Sequence, residues 1–79
     1  MKRRPMRTKA EIMKDFLEAT LHGANMSTIR DKARLNYKTA TRYLMLANDN
    51  EYIQHENGIF ITTTKGKVFI EMATELDMV

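Results

Sequence analysis

The sequence predicts an α+β fold that is mostly helical: three helices, then a two-stranded hairpin, then a fourth helix. Three observations carry this. Apolar residues recur at three- and four-residue spacing through residues 12–21, 29–35 and 40–47, the period of helices that bury one face. Residues 52–62 are centred instead on Asn57-Gly58, a pair suited to a type I′ hairpin turn because both central positions need positive φ. Finally, 79 residues with 43% hydrophobic and 29% charged side chains suffice for one small core.

Residues 1–7 (MKRRPMR) have four positive charges, one Pro and no periodicity, so they read as a flexible basic arm preceding a domain over residues 8–79. Thr8 and Glu11 have the spacing of a capping box and start helix 1. Ile12, Met13, Phe16, Leu17, Thr20 and Leu21 form its apolar face, and Gly23, free to adopt a left-handed C-cap, is expected to end it. Ser27 is the expected N-cap of a two-turn helix 2, with Asp31 in its first turn and Ile29, Ala33 and Leu35 as its apolar set.

Asn36 caps helix 3, predicted over Tyr37–Asp49. At 100° per residue Ala40, Tyr43, Leu44 and Ala47 cluster on one side, and Lys38, Thr41, Arg42 and Met45 lie opposite, so the first set is core and the second exposed. Tyr52 and Ile53 open the hairpin and residues 59–62 return. Thr63 or Thr64 caps helix 4, whose apolar face holds Val68, Phe69, Met72, Ala73, Leu76 and Val79.

Two helices joined by a short turn and followed by a hairpin is the order of a winged helix-turn-helix: a three-helix core, a two-stranded wing and a C-terminal helix. In that geometry the N-terminal half of helix 3 reads base edges in the major groove of double-stranded DNA while neighbouring groups hold phosphates. The candidate reading residues are Tyr37, Lys38, Thr41 and Arg42. Arg42 suits bidentate contact with guanine O6 and N7, Lys38 a guanine or a phosphate, and Thr41 a thymine methyl. Arg30, Lys32 and Arg34 on helix 2, and Lys2, Arg3, Arg4 and Arg7 in the arm, are candidate backbone contacts. A solvated helix face and a solubilising terminus have similar patterns; the hairpin that follows favours the DNA reading.

The charge distribution agrees. Residues 1–47 hold 11 Lys and Arg against 4 acids, or +7, whereas residues 48–79 hold 2 against 6, or −4. One half therefore suits a polyanion. The wing tip, His55, Glu56, Asn57 and Gly58, has no cation, so it is expected to touch DNA weakly through His55 and Asn57 or to serve mainly in closing the core.

Other classes are disfavoured. There is no Cys for a disulfide or thiolate zinc site, and His22 and His55 stand apart from ligand-spaced partners, so no metal or cofactor is expected. No acid joins a Ser or His as an activated nucleophile and no Gly-rich phosphate loop occurs, which argues against an enzyme. The absence of a long apolar run or a signal-like N-terminus leads to the expectation of a cytoplasmic, nucleoid-associated protein. The competing reading is a protein-interaction module, favoured by Met45 and Leu46, apolar at positions expected to be exposed.

The chain resembles the small archaeal winged-helix DNA-binding regulators. The resemblance is carried by Glu11-Ile12-Met13, Ser27-Thr28-Ile29, Leu35-Asn36-Tyr37, Tyr43-Leu44, Tyr52-Ile53 and Thr63-Thr64-Lys65-Gly66, in that order. It implies a winged helix that binds double-stranded DNA, usually as a homodimer, in transcription regulation or chromosome organisation. Two positions depart from the pattern. The family often has Gly where Glu51 stands, so Asn50 is expected to supply any left-handed C-cap of helix 3. Some relatives also dimerise through a long C-terminal coiled-coil helix, whereas here about four turns follow Gly66. Val68, Phe69, Met72, Leu76 and Val79 are expected to serve both the core and a partner subunit; packing within a monomer would use the same face.

Overall fold

The computed structural model describes residues 7–77, with side chains through residue 75. The elements are α1 (Lys9–Ala19), α2 (Met26–Ala33), α3 (Tyr37–Asp49), β1 (Ile53–Glu56), β2 (Ile59–Thr62) and α4 (Thr64–Asp77). This is the predicted winged helix-turn-helix order. Of the expected arm, residues 1–6 lie outside the described residues, and so do Met78 and Val79.

Local chemistry sets most of the boundaries. The Thr8 hydroxyl accepts from Glu11 N at 3.1 Å while the Glu11 carboxylate accepts from Thr8 N at 2.7 Å, completing the capping box. Asn36 Oδ1 accepts from Thr39 N at 2.8 Å and starts α3 where expected. Asn57 and Gly58 have φ of 51° and 79°, as a type I′ turn requires, and the hairpin register pairs Ile53 with Thr62 and His55 with Phe60.

Three expected boundaries are corrected. α1 ends at Ala19, not at Gly23, because the backbone beyond it is given over to the sheet. The Thr20 carbonyl accepts from Thr62 N at 3.0 Å, and Ala24 exchanges two backbone hydrogen bonds with Phe60 at 2.8 and 2.9 Å. Gly23 does adopt a positive φ, 96°, but in the turn that follows the helix. With Ala24 drawn into extended pairing, Asn25 rather than Ser27 caps α2, its Oδ1 accepting from Thr28 N at 2.9 Å. Asp31 consequently falls outside the first turn. At the end of α3, Asn50 keeps φ at −91° and Glu51 itself takes the left-handed conformation, φ 62°.

The core lies where α1 packs against α2, α3 and α4. Phe16, Leu17, Ile29, Ala40 and Ala47 have no solvent exposure, and Met13, Ala33, Leu35, Tyr43 and Ile53 are also buried. Burying a large apolar side chain contributes roughly 1.5–3 kcal/mol, so this cluster dominates the stabilisation. One polar knot sits within it. Thr62 donates its hydroxyl hydrogen to the Leu17 carbonyl at 2.7 Å, and its oxygen lies 2.8 Å from the equally buried Thr20 hydroxyl. The Thr20 hydroxyl also lies 3.2 and 3.3 Å from the carbonyls of Leu17 and Phe16, so the two hydroxyl hydrogens are shared among these buried acceptors.

α4 begins under the wing. Thr63 is the capping residue, its hydroxyl accepting from Gly66 N at 3.1 Å and donating to the Glu51 carbonyl at 2.7 Å. Gly66 is buried so closely that a Cβ there would meet the Tyr52 carbonyl oxygen and come within 2.6 Å of Thr62 Cγ2. Phe69 packs on Tyr52 with ring centroids 5.2 Å apart, fastening the helix to the end of α3.

Candidate nucleic-acid interface

α3 divides as its wheel predicts. Ala40, Tyr43 and Ala47 are buried, Leu44 is half-buried, and Lys38, Arg42 and Met45 are exposed. Thr41 is the exception. It is half-buried, and its hydroxyl oxygen is covered without a hydrogen-bond partner among the described residues. Its contact surface is therefore its methyl group rather than its hydroxyl.

The N-terminus of α3 is electropositive for two reasons. No acidic residue lies in its first turn, so the partial positive charge of the helix end is uncompensated. Arg30 of α2 also reaches across, its guanidinium carbon 5.7 Å from the centroid of the Tyr37 ring, within cation–π range. Tyr37, itself 63% exposed, thus holds a cation beside the amide end of α3. Lys38 in the first turn and Arg42 one turn further continue the positive face, while Arg34 stands exposed at the α2–α3 turn.

Arg7 departs from the expected arm. Its guanidinium makes a 2.7 Å ion pair with Asp15 and donates to the carbonyls of Ala33 at 2.8 Å and Arg34 at 3.0 Å. All of this lies within the fold, where Arg7 ties the entry of α1 to the C-terminus of α2. Arg3 and Arg4, the other arm candidates, lie outside the described residues.

The wing differs in character. Residues 43–64 contain no Lys or Arg. His55 stacks on Phe60 with centroids 4.5 Å apart and planes 17° from parallel, and Glu56 and Asn57 are exposed at the tip. An open groove of about 680 Å³ runs over the outer face of the hairpin, lined by His22, Gly23, Gln54, Glu56, Ile59 and Ile61 among others, and takes no residue from α3. Phe60, half-buried, exchanges backbone hydrogen bonds with Ala24 in an isolated bridge that ties the two-stranded wing to the segment after α1.

Sequence reasoning missed the Ala24–Phe60 pairing and the tie made by Arg7. The first left one trace: Asn25, two residues ahead of Ser27 and among the best N-cap residues, signals an earlier start for α2. The second left none, since nothing local distinguishes Arg7 from its basic neighbours. Of the expected dimer residues, Val68 and Met72 are exposed, Phe69 is half-buried against Tyr52, and the side chain of Leu76 lies outside those described. Among the described residues no helix is long and apolar enough to cross a membrane.

Two helices joined by a short turn and followed by a hairpin define a class, and the family comparison agrees: the chain belongs to the winged helix-turn-helix family, matched over residues 6–79. Among solved structures it is similar to Sso10a-2, a DNA-binding protein from Sulfolobus solfataricus, with a TM-score of 0.81 and 27% identity. That likeness covers 91% of this chain and 80% of the other. No curated protein gives a significant sequence match.

Proposed function

We propose that the protein binds double-stranded DNA, entering the major groove with α3, and that it does so as a regulator of transcription or an organiser of DNA. The observation that carries this reading is the exposed face of Lys38, Arg42 and Tyr37 on α3, with Arg30 and Arg34 of α2 beside its amide end. The DNA-binding description of Sso10a-2 supports it. Arg42 takes a guanine edge, Lys38 a guanine or a phosphate, Thr41 a thymine methyl, and Arg30 and Arg34 the backbone; Arg3 and Arg4 add phosphate contacts that raise affinity without selecting sequence.

The test is fluorescence anisotropy of labelled duplex, titrated with wild type and Arg42→Ala from low to physiological salt. Wild-type binding should weaken steeply with salt, and Arg42→Ala should cost about 1–3 kcal/mol on a preferred site. A regulator separates preferred from mixed sequence; an architectural protein binds both alike. Absence of binding at low salt would exclude the proposal and bring forward an interaction module. One observation favours that second reading: Met45 and Leu46 on α3 are 61% and 42% exposed.

The active species on this reading is a homodimer joined through α4, with Val68 and Met72 at the contact and Phe69 and Leu76 alongside. Two apolar side chains 48% and 59% exposed on one helix support it. Light scattering should give twice the chain mass for wild type and the single mass for Val68→Asp combined with Met72→Asp, a change that spares the core. A monomeric wild type at micromolar concentration would rule the dimer out.

A further inference from the structure

The chain has five asparagines, and the fold restrains four of them. Asn25 and Asn36 cap α2 and α3, their Oδ1 atoms accepting from Thr28 N and Thr39 N at 2.9 and 2.8 Å. Asn50 donates from Nδ2 to the Leu46 carbonyl at 2.8 Å, and the amide that follows it, Glu51 N–H, donates to the Asn48 carbonyl at 3.0 Å. Asn48 lies inside α3, where the next amide belongs to the helical ladder. Asn57 differs in each of these respects. It is exposed at the hairpin tip, and its side chain makes no hydrogen bond among the described residues. The residue after it is Gly58, also exposed, where even an added Cβ would have no atom within 4 Å. Strand pairing closes at Glu56 with Ile59, so the Gly58 amide lies beyond the ladder.

We propose that Asn57 is a site of spontaneous deamidation, with the Gly58 nitrogen as nucleophile and water as co-reactant. A side-chain amide is open to attack by the main-chain nitrogen after it when that nitrogen can lose its proton and approach without a side chain in the way, which is the situation of Gly58. The Gly58 nitrogen gives its proton to hydroxide and bonds to Asn57 Cγ; the Cγ–Nδ2 bond breaks, and ammonia leaves with a proton taken from water. Water then opens the cyclic imide at either carbonyl. Cleavage between Cγ and the Gly58 nitrogen gives aspartate, and cleavage between the Asn57 main-chain carbonyl carbon and that nitrogen gives isoaspartate, with the chain routed through Cγ. Either product sets a second carboxylate beside Glu56. Isoaspartate also adds a carbon to the main chain of a turn held at φ 51° and 79°, which the type I′ geometry has no room for. The ring closes only when Asn57 and Gly58 swing out of that conformation, and an exposed tip carried by a glycine opens locally at little cost.

The experiment incubates the folded protein at mildly alkaline pH in heavy-oxygen water, beside the urea-unfolded chain and a folded Asn57→Gly variant, which suits the same turn and has no side-chain amide. Digestion with trypsin in ordinary water releases residues 43–65, so Asn48, Asn50 and Asn57 are compared within one peptide by fragment masses. Heavy oxygen enters only during the incubation, which separates the reaction from any loss during digestion. Folded wild type should lose the Asn57 amide at least about ten-fold faster than those of Asn48 and Asn50, because the tip opens without unfolding α3. The product should carry one solvent oxygen and be mainly isoaspartate, and the Asn57→Gly peptide should keep its mass. A folded protein that keeps the Asn57 amide over the time in which the unfolded chain loses it, or that loses Asn48 or Asn50 first, would overturn the proposal.

Discussion

The α2–α3 half of the domain and the hairpin–α4 half use their polar groups in opposite ways. On α2 and α3 the charged side chains are exposed, and caps and carbonyl contacts fix the backbone beneath them, as Asn25, Asn36 and Arg7 do. On the wing side threonine hydroxyls tie backbone and side chains together: Thr20 with Thr62, Thr62 with Leu17, Thr63 with Glu51 and Gly66. Net charge follows the same division, positive in the first half and negative in the second. The difference teaches that a wing need not be a second DNA-binding arm. Here the hairpin packs on the core through Ile53, Phe60 and Thr62 and carries no cation, so on the proposed reading the ligand-facing chemistry falls to the helices.

The largest expected effect tests that packing. In the first turn of a helix, Gly→Ala ordinarily stabilises by up to about 1 kcal/mol through helix propensity. At Gly66 the new methyl would meet the Tyr52 carbonyl and lie 2.6 Å from Thr62 Cγ2, both parts of the wing's own framework. Backbone cannot give way as a flexible side chain can, so overpacking outweighs propensity. Gly66→Ala should destabilise by about 3 kcal/mol in urea unfolding. An unfolding midpoint at or above that of wild type would break the comparison, because it would mean the hairpin and α4 are loosely joined.

How much of this was legible in the sequence depended on how far apart the interacting residues lie. The Thr8–Glu11 box, the Asn36 cap, the Asn57-Gly58 turn and the two faces of α3 are decided within a few residues, and local chemistry is enough to read them. The end of α1 is decided by Thr62 and Phe60, far along the chain, so a glycine with left-handed freedom was a misleading stop signal. The same distance hid the role of Arg7, whose partners are the carbonyls of Ala33 and Arg34. At Glu51 propensity pointed to Asn50 as the left-handed residue, but the following contacts override it: Tyr52 N donates to the Ala47 carbonyl at 2.8 Å and Thr63 holds the Glu51 carbonyl, which fixes the reversal one residue later. For the candidate interface the exposed positions of α3 were readable from periodicity, whereas the partial burial of Thr41 was not.

The smallest expected effect is also the sharpest probe of the division between the halves. Glu56 is the exposed acid at the wing tip, next to the Asn57-Gly58 turn, where a wing lying along DNA would bring it near the phosphates. Repulsion between two like charges about 4 Å apart is worth roughly 1 kcal/mol even at the dielectric of bulk water. Removing it from a wing in contact should tighten binding about five-fold. Beyond a Debye length, about 8 Å at physiological salt, the same change is screened to near nothing. With no cation on the hairpin and the candidate contacts on α2 and α3, the domain is expected to behave in the second way. Glu56→Gln should then leave duplex affinity within about two-fold of wild type at physiological salt, with stability unchanged for so exposed a side chain. Tightening of five-fold or more would show that the wing reaches the backbone, and the boundary between a binding half and a closing half would have to be redrawn to include its tip.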